Sequence, residues 1–93
     1  MKKVKICGIP YKIIEVPVID EDEEGITQGK ILYSQGKILI KKDLPKKLKK
    51  QVLYHEIIHG MLVLLGYTQQ SADEVFVQSL TTAIFQIFDL KER

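Results

Sequence analysis

Leu48-Lys49-Lys50-Gln51-Val52-Leu53-Tyr54-His55-Glu56-Ile57-Ile58-His59-Gly60-Met61-Leu62-Val63-Leu64-Leu65 is the stretch on which the reading of this chain turns. It holds no proline and its apolar residues recur at helical spacing, so it reads as one amphipathic helix. At ~3.6 residues per turn, His55 and His59 project from one face, about 6 Å apart along the axis. Leu48, Val52, Leu62 and Gly66 share that side, which puts both imidazoles on a stripe turned toward the interior. One histidine there would read as a core residue satisfied by a single hydrogen bond. Two of them, with Glu56 directly after the first, read instead as a two-point grip on a metal ion. Zinc accepts neutral imidazole nitrogens, and a glutamate beside the first ligand can take a proton from a water activated at the metal. The pattern points to hydrolytic chemistry.

Working outward, Pro45 suits the first turn of this helix, with Asp43 or Leu44 as its cap, and Gly66 ends it. A second helix is predicted from near Ser71, where Ser71-Ala72-Asp73-Glu74 matches a capping box; Val77, Leu80, Ile84, Ile87 and Phe88 form its apolar face. The short link makes the two helices close neighbours. Phe76, Ile84, Phe85, Ile87 and Phe88 are many bulky side chains for a two-helix layer over a small sheet, and a dimer or a well-filled monomer core would each account for them. Upstream, Lys3-Val4-Lys5-Ile6-Cys7-Gly8 and Tyr11-Lys12-Ile13-Ile14-Glu15-Val16 read as paired strands. Gly29-Lys30-Ile31-Leu32-Tyr33 and Gly36-Lys37-Ile38-Leu39-Ile40 read as a hairpin turning at Ser34-Gln35-Gly36. The polar, acidic segment after Pro17 is an irregular loop. The expected fold class is α+β in one domain spanning 1–93: an antiparallel sheet of about three to four strands over 1–42, then helices over about 45–66 and 71–90.

A chain of 93 residues is one domain, small enough for a bound metal to matter to its stability. Lys and Arg number 14 against 12 Asp and Glu, a net charge of +2, so local charge says more than the total. Asp20-Glu21-Asp22-Glu23-Glu24 reads as a solvated loop, and Lys41, Lys42, Lys46, Lys47, Lys49 and Lys50 as a solvated helix start or a basic surface that steers an acidic partner. Arg93 is the sole arginine, which with the acidic run argues against nucleic acid as partner. Cys7 is the sole cysteine, so no intrachain disulfide forms; in an apolar strand it is expected in the core. A cytoplasmic setting follows most naturally. Met1-Lys2-Lys3 leads into alternating residues rather than a signal-peptide pattern, and no window approaches the ~20 apolar residues of a membrane span.

A catalytic zinc site has three protein ligands and leaves one position open. The chain has no third histidine and Cys7 lies in the sheet, so Asp73 and Glu74 are the remaining sources. Glu74 has the longer reach; Asp73 sits nearer the centre of the apolar face. A plain capping role beside Ser71 would explain Glu74 without any metal. Spacing leaves both residues open.

The stretch Leu53-Tyr54-His55-Glu56-Ile57-Ile58-His59-Gly60-Met61-Leu62, followed by Asp73-Glu74-Val75-Phe76-Val77-Gln78-Ser79-Leu80, resembles the compact zinc metallopeptidase-like proteins of phages and prophages. These are similar to the metallopeptidase domain of the ImmA/IrrE family. The likeness covers roughly residues 29 to 90. It implies a minimal zincin-like domain of a bacterial host cytoplasm, with the third ligand a glutamate on the next helix in a Glu-x-x-Ala/Val setting. Glu74-Val75-Phe76-Val77 matches that setting, so the resemblance carries the ligand role to Glu74, with Asp73 second.

The resulting expectation is a Zn²⁺ peptidase, narrow in specificity, with His55, His59 and Glu74 as ligands, Glu56 as general base and a peptide or protein as substrate. Tyr54 and Tyr67 are candidates for oxyanion stabilisation, though packing roles suit both. The strand Lys37 to Lys41 could offer a sheet edge to an extended peptide, provided it is not internal. A non-catalytic zinc-stabilised interaction module is the alternative, and a helix-pair adaptor without metal a third reading.

Overall fold

The computed structural model describes residues 3–20 and 27–91, with side chains as far as Phe88. Its architecture is α+β: a four-stranded mixed sheet followed by helices. The strands are β1 (Lys3–Ile6), β2 (Ile9–Val16), β3 (Gly29–Leu32) and β4 (Lys37–Lys41), in the order β1-β2-β4-β3. A 3-10 turn at Tyr33–Gln35 joins β3 to β4, closed by Gly36 at a φ of 62°.

Both expected hairpins form, β1 with β2 and β3 with β4. The sheet as a whole is not antiparallel, because the hairpins meet through β2 and β4, which run parallel with Ile13 opposite Ile38 and Glu15 opposite Ile40. The reason is the connection between the hairpins. The described ends of that connection lie on opposite sides of β4: Lys42 N–H donates to Val16 O (2.7 Å) at the end of β2, and Lys41 N–H to Gln28 O (2.9 Å) ahead of β3. Of the acidic run, Asp20 alone is described; it pairs with Lys30 at 2.6 Å, and residues 21–24 lie outside the described residues.

Alternation puts Ile6, Tyr11, Ile13, Ile38, Ile40 and Ile31 on one face of the sheet, and Ile6, Tyr11, Ile38 and Ile40 are buried there with Val52. Helix α1 (Lys46–Leu64) covers this face. Gly60 lets it approach closely: a Cβ there would stand 2.9 Å from Ile31 Cδ1 and 3.0 Å from Ile6 Cδ1. Pro45 sits one position earlier than expected, at the cap itself. At the other end Gly66, at a φ of 93°, donates to Val63 O (3.0 Å) and Tyr67 N–H to Leu62 O (2.7 Å), the paired bonds of a Schellman ending. Lys49, in the basic helix start, bonds Glu15 of β2 at 2.8 Å.

The link after α1 is itself helical. Helix α2 (Thr68–Ala72) is a single short turn, and α3 (Glu74–Lys91) begins two residues later. The second helix therefore starts at Glu74 rather than Ser71, and Asp73 caps it, its Oδ1 accepting Phe76 N–H at 3.1 Å. The packing partners of α3 are α1 and α2, so the layers run sheet, α1, α3. Val77 and Thr81 of α3 are fully buried, and Tyr54 of α1 meets Phe85 and Phe88 edge to face. Phe76, Ile87 and Phe88 remain 40–56% exposed, because α1 alone occupies the sheet face. Cys7 is exposed, not in the core: it turns between β1 and β2 at a φ of 50°, and the preceding Ile6 takes the interior position. No helix among the described residues is long and apolar enough to cross a membrane.

Candidate metal centre

His55 and His59 leave α1 on the side facing α2 and α3, and Glu74 meets them from the first position of α3. The two Nε2 atoms are 3.2 Å apart. Glu74 Oε1 lies 3.2 Å from His55 Nε2, and Oε2 3.4 Å from His59 Nε2. Among the described residues these three form a group able to hold a metal ion. Their separations can be tested against zinc: with bonds of ~2.0–2.1 Å and tetrahedral angles, two ligand atoms stand about 3.3 Å apart. The two nitrogens meet that spacing, and each has a different oxygen of Glu74 close to it, Oε1 at His55 and Oε2 at His59, with one ligand atom from each residue within 4.8 Å of the others. Two imidazole nitrogens, one carboxylate and an open side match the donor set of a catalytic site, and Glu74, with its side chain 70% exposed, marks where solvent reaches it. Asp73 is outside the group; its carboxylate is spent on the cap of α3.

Each histidine has a hydroxyl behind it. Ser71 Oγ is 3.1 Å from His59 Nδ1 and donates to His59 O at 3.2 Å. Thr81 Oγ1 is 3.5 Å from His55 Nδ1 and donates to Val77 O at 2.8 Å. Ser71, expected as a helix cap, is instead a buried residue of α2 pressed against the site. Neither hydroxyl role was read from the sequence. A threonine on an apolar face carries no periodic signal of its own, and Ser71 fits a capping pattern equally well.

Glu56 faces another way, toward β3. Gln28 O takes its bond from Lys41 N–H, so by antiparallel alternation Lys30 and Leu32 turn their amides to β4 while Gly29 and Ile31 turn theirs outward. Ile31 N–H donates to the Glu56 carboxylate. A Cβ on Gly29 would stand 3.2 Å from Glu56 Cγ, so the strand leaves no more room than the side chain needs. Burial, and then the Glu74 carboxylate, raise the Glu56 pKa from 4.5 to about 7, against the opposing pull of the Ile31 amide. A cleft of about 260 Å³ runs alongside, lined by Gln28, Gly29, Leu48, Gln51, Val52, His55, Glu56 and Gln78. It joins the metal-facing histidine to the buried carboxylate.

The expected oxyanion donors are elsewhere: Tyr54 packs on Phe85 and Phe88, and Tyr67 is 53% exposed after the end of α1. Tyr33 is the tyrosine whose phenol the charge of Glu56 reaches; burial, then Tyr11, then Glu56 hold its pKa above 10. The strand Lys37 to Lys41 cannot serve as an edge for a peptide, since β4 lies between β2 and β3. The edge beside the cleft is β3. Compared with known proteins, the chain matches no family model, no curated protein and no solved structure.

Proposed function

We propose that this chain is a zinc-dependent peptidase of minimal size, with His55, His59 and Glu74 as metal ligands and Glu56 as general base. The observation that carries the reading is the convergence of the three side chains: the two Nε2 atoms stand 3.2 Å apart, each has an oxygen of Glu74 at 3.2–3.4 Å, and one ligand atom from each residue lies within 4.8 Å of the others. Zinc bound there would lower the pKa of a water toward ~7 and polarise a carbonyl oxygen. Glu56, buried at the other wall of the cleft, would accept the proton of the attacking water and return it to the leaving amine. Ile31 N–H steadies that carboxylate. Gly29, whose amide and carbonyl point away from the sheet, would hold an extended substrate by main-chain bonds as it passes the cleft. The resemblance of the Leu53–Leu62 and Asp73–Leu80 stretches to phage-type metallopeptidases supports the same chemistry, and so small a chain has little room for subsites, which suits a narrow peptide or protein substrate.

A second reading is a non-catalytic zinc-stabilised interaction module. It is favoured by the exposed apolar side chains of α3, with Val75 at 78% and Ile87 at 56%. Elemental mass spectrometry on untagged protein separates the readings in steps. Near-stoichiometric zinc, retained in Glu56→Gln and lost in His55→Ala and Glu74→Ala, is expected. Peptide-library cleavage by wild type but not Glu56→Gln supports the peptidase; zinc without cleavage supports the module. Absence of zinc after reconstitution removes both and leaves the metal-free adaptor.

A further inference from the structure

We infer that Ser71 and Thr81 are positioning residues that hold His59 and His55 in the Nδ1–H tautomer, so that both Nε2 lone pairs face the metal position before any metal arrives. The inference rests on the zinc reading of the site, and is argued from where each hydroxyl proton goes. Thr81 Oγ1 lies 2.8 Å from Val77 O and gives its single proton to that carbonyl. Ser71 Oγ gives its proton to His59 O at 3.2 Å. With its proton spent, each oxygen faces an imidazole Nδ1 only as an acceptor, at 3.1 Å for His59 and 3.5 Å for His55. Nδ1 must then carry the hydrogen. The neutral ring has one, so Nε2 is left bare.

Burial makes this routing binding on the ring. Glu56, Ser71 and Thr81 are the buried polar or charged residues among those described, and all three belong to this site. Thr81 has no exposed surface and Ser71 has 6%, so no water competes for their oxygens as freely as it does at the surface. The rivals for the ring proton are the other ring's Nε2, which faces it at 3.2 Å, and Glu74, which could accept from an Nε2–H at 3.2 Å from His55 or 3.4 Å from His59. The Glu74 side chain is 70% exposed and is satisfied by solvent, which weakens its claim. The short helix α2 gains a purpose here. A plain loop from Gly66 to Asp73 would join the helices equally well, but the helical turn seats Ser71 under His59.

The two hydroxyls should differ in strength. The 3.1 Å contact of Ser71 is a full hydrogen bond, whereas the 3.5 Å contact of Thr81 is at the limit of one. Long-range proton–nitrogen correlation spectra of the ¹⁵N-labelled full chain, in chelator and at a pH well above the imidazole range, read the tautomers directly. Wild type is expected to show Nδ1–H at both rings. Ser71→Ala is expected to move His59 toward Nε2–H and leave His55 in place, and Thr81→Val to do the reverse. Ser71→Thr and Thr81→Ser, which keep a hydroxyl, should retain the wild-type pattern.

Zinc affinity, measured by competition with a chromophoric chelator, should fall about 10–100-fold in Ser71→Ala, with Thr81→Val at the smaller end. Backbone amide spectra identify any variant that has lost its fold, and the hydroxyl-retaining pair then carries the comparison. Nε2–H rings in wild-type apoprotein, or a Ser71→Ala spectrum unchanged at His59, would overturn the inference. The tautomers are read without zinc, so a chain that bound no metal would defeat the peptidase reading while the spectra decided this one.

Discussion

Replacing Glu56 by glutamine should stabilise the metal-free protein, and only above mildly acidic pH. The carboxyl is 8% exposed and its pKa stands at about 7 against an ordinary 4.5. Between those values the folded chain holds a proton that the unfolded chain has released. Stability therefore falls as pH rises from about 4.5 to about 7, and the loss is complete above that window. At about 1.4 kcal/mol per pH unit, the gap amounts to about 3 kcal/mol charged against the native state at pH 8. Glutamine has nearly the same shape, keeps an oxygen for the Ile31 amide, and carries no charge to desolvate. Urea unfolding of wild type and Glu56→Gln in chelator, at pH 8 and at pH 4.5, measures the difference. With an m-value of about 1–1.5 kcal/mol per M, the Glu56→Gln midpoint should exceed wild type by about 2–3 M at pH 8, and the advantage should vanish at pH 4.5. An equal offset at both pH values would refute the argument, since a packing change does not titrate.

Three further outcomes are expected. Zinc at about 100 times its dissociation constant adds about 2.7 kcal/mol and should raise the Tm by about 10–20 °C in a domain of this size, an effect absent from His55→Ala in the same thermal scan. Gly29→Ala, whose Cβ would meet Val52 Cγ1 at 2.5 Å, should cost about 1–3 kcal/mol in urea unfolding and displace Glu56; zinc content should persist while peptide cleavage drops. Gly66→Ala meets open space but keeps a φ of 93°, so denaturation should show a loss of roughly 1 kcal/mol with zinc affinity unchanged.

The helix carrying the histidines was legible because a 3.6-residue period fixes which side chains share a face, and the group at His55 and His59 follows from that alone. Glu74 was not fixed by spacing. Asp73 and Glu74 are adjacent acids at a helix start, and which one caps and which one meets the histidines depends on where the helix begins. The five residues of α2 settle that, and a single helical turn is too short to show periodicity. Strand positions were equally legible, but alternation records which face a residue takes and not the direction of its neighbour, so the parallel joining of β2 to β4 lay beyond it. At Cys7 the apolar run continued in the sequence for one residue more than in the sheet, and the reversal of the chain carried the side chain outward.

Every group that would grip or steady the metal lies between His55 and Thr81, within α1, α2 and the first half of α3. Glu56, the proposed base, is the one of these groups tied to the sheet, through a bond from Ile31. On the proposed reading, metal uptake would thus be a property of the helical half of the chain, whereas the placement of Glu56 depends on how that half seats against β3. A protein whose strand edge had slipped would then still load an ion in full, so occupancy would report on the helices and say nothing of whether the proposed site is complete.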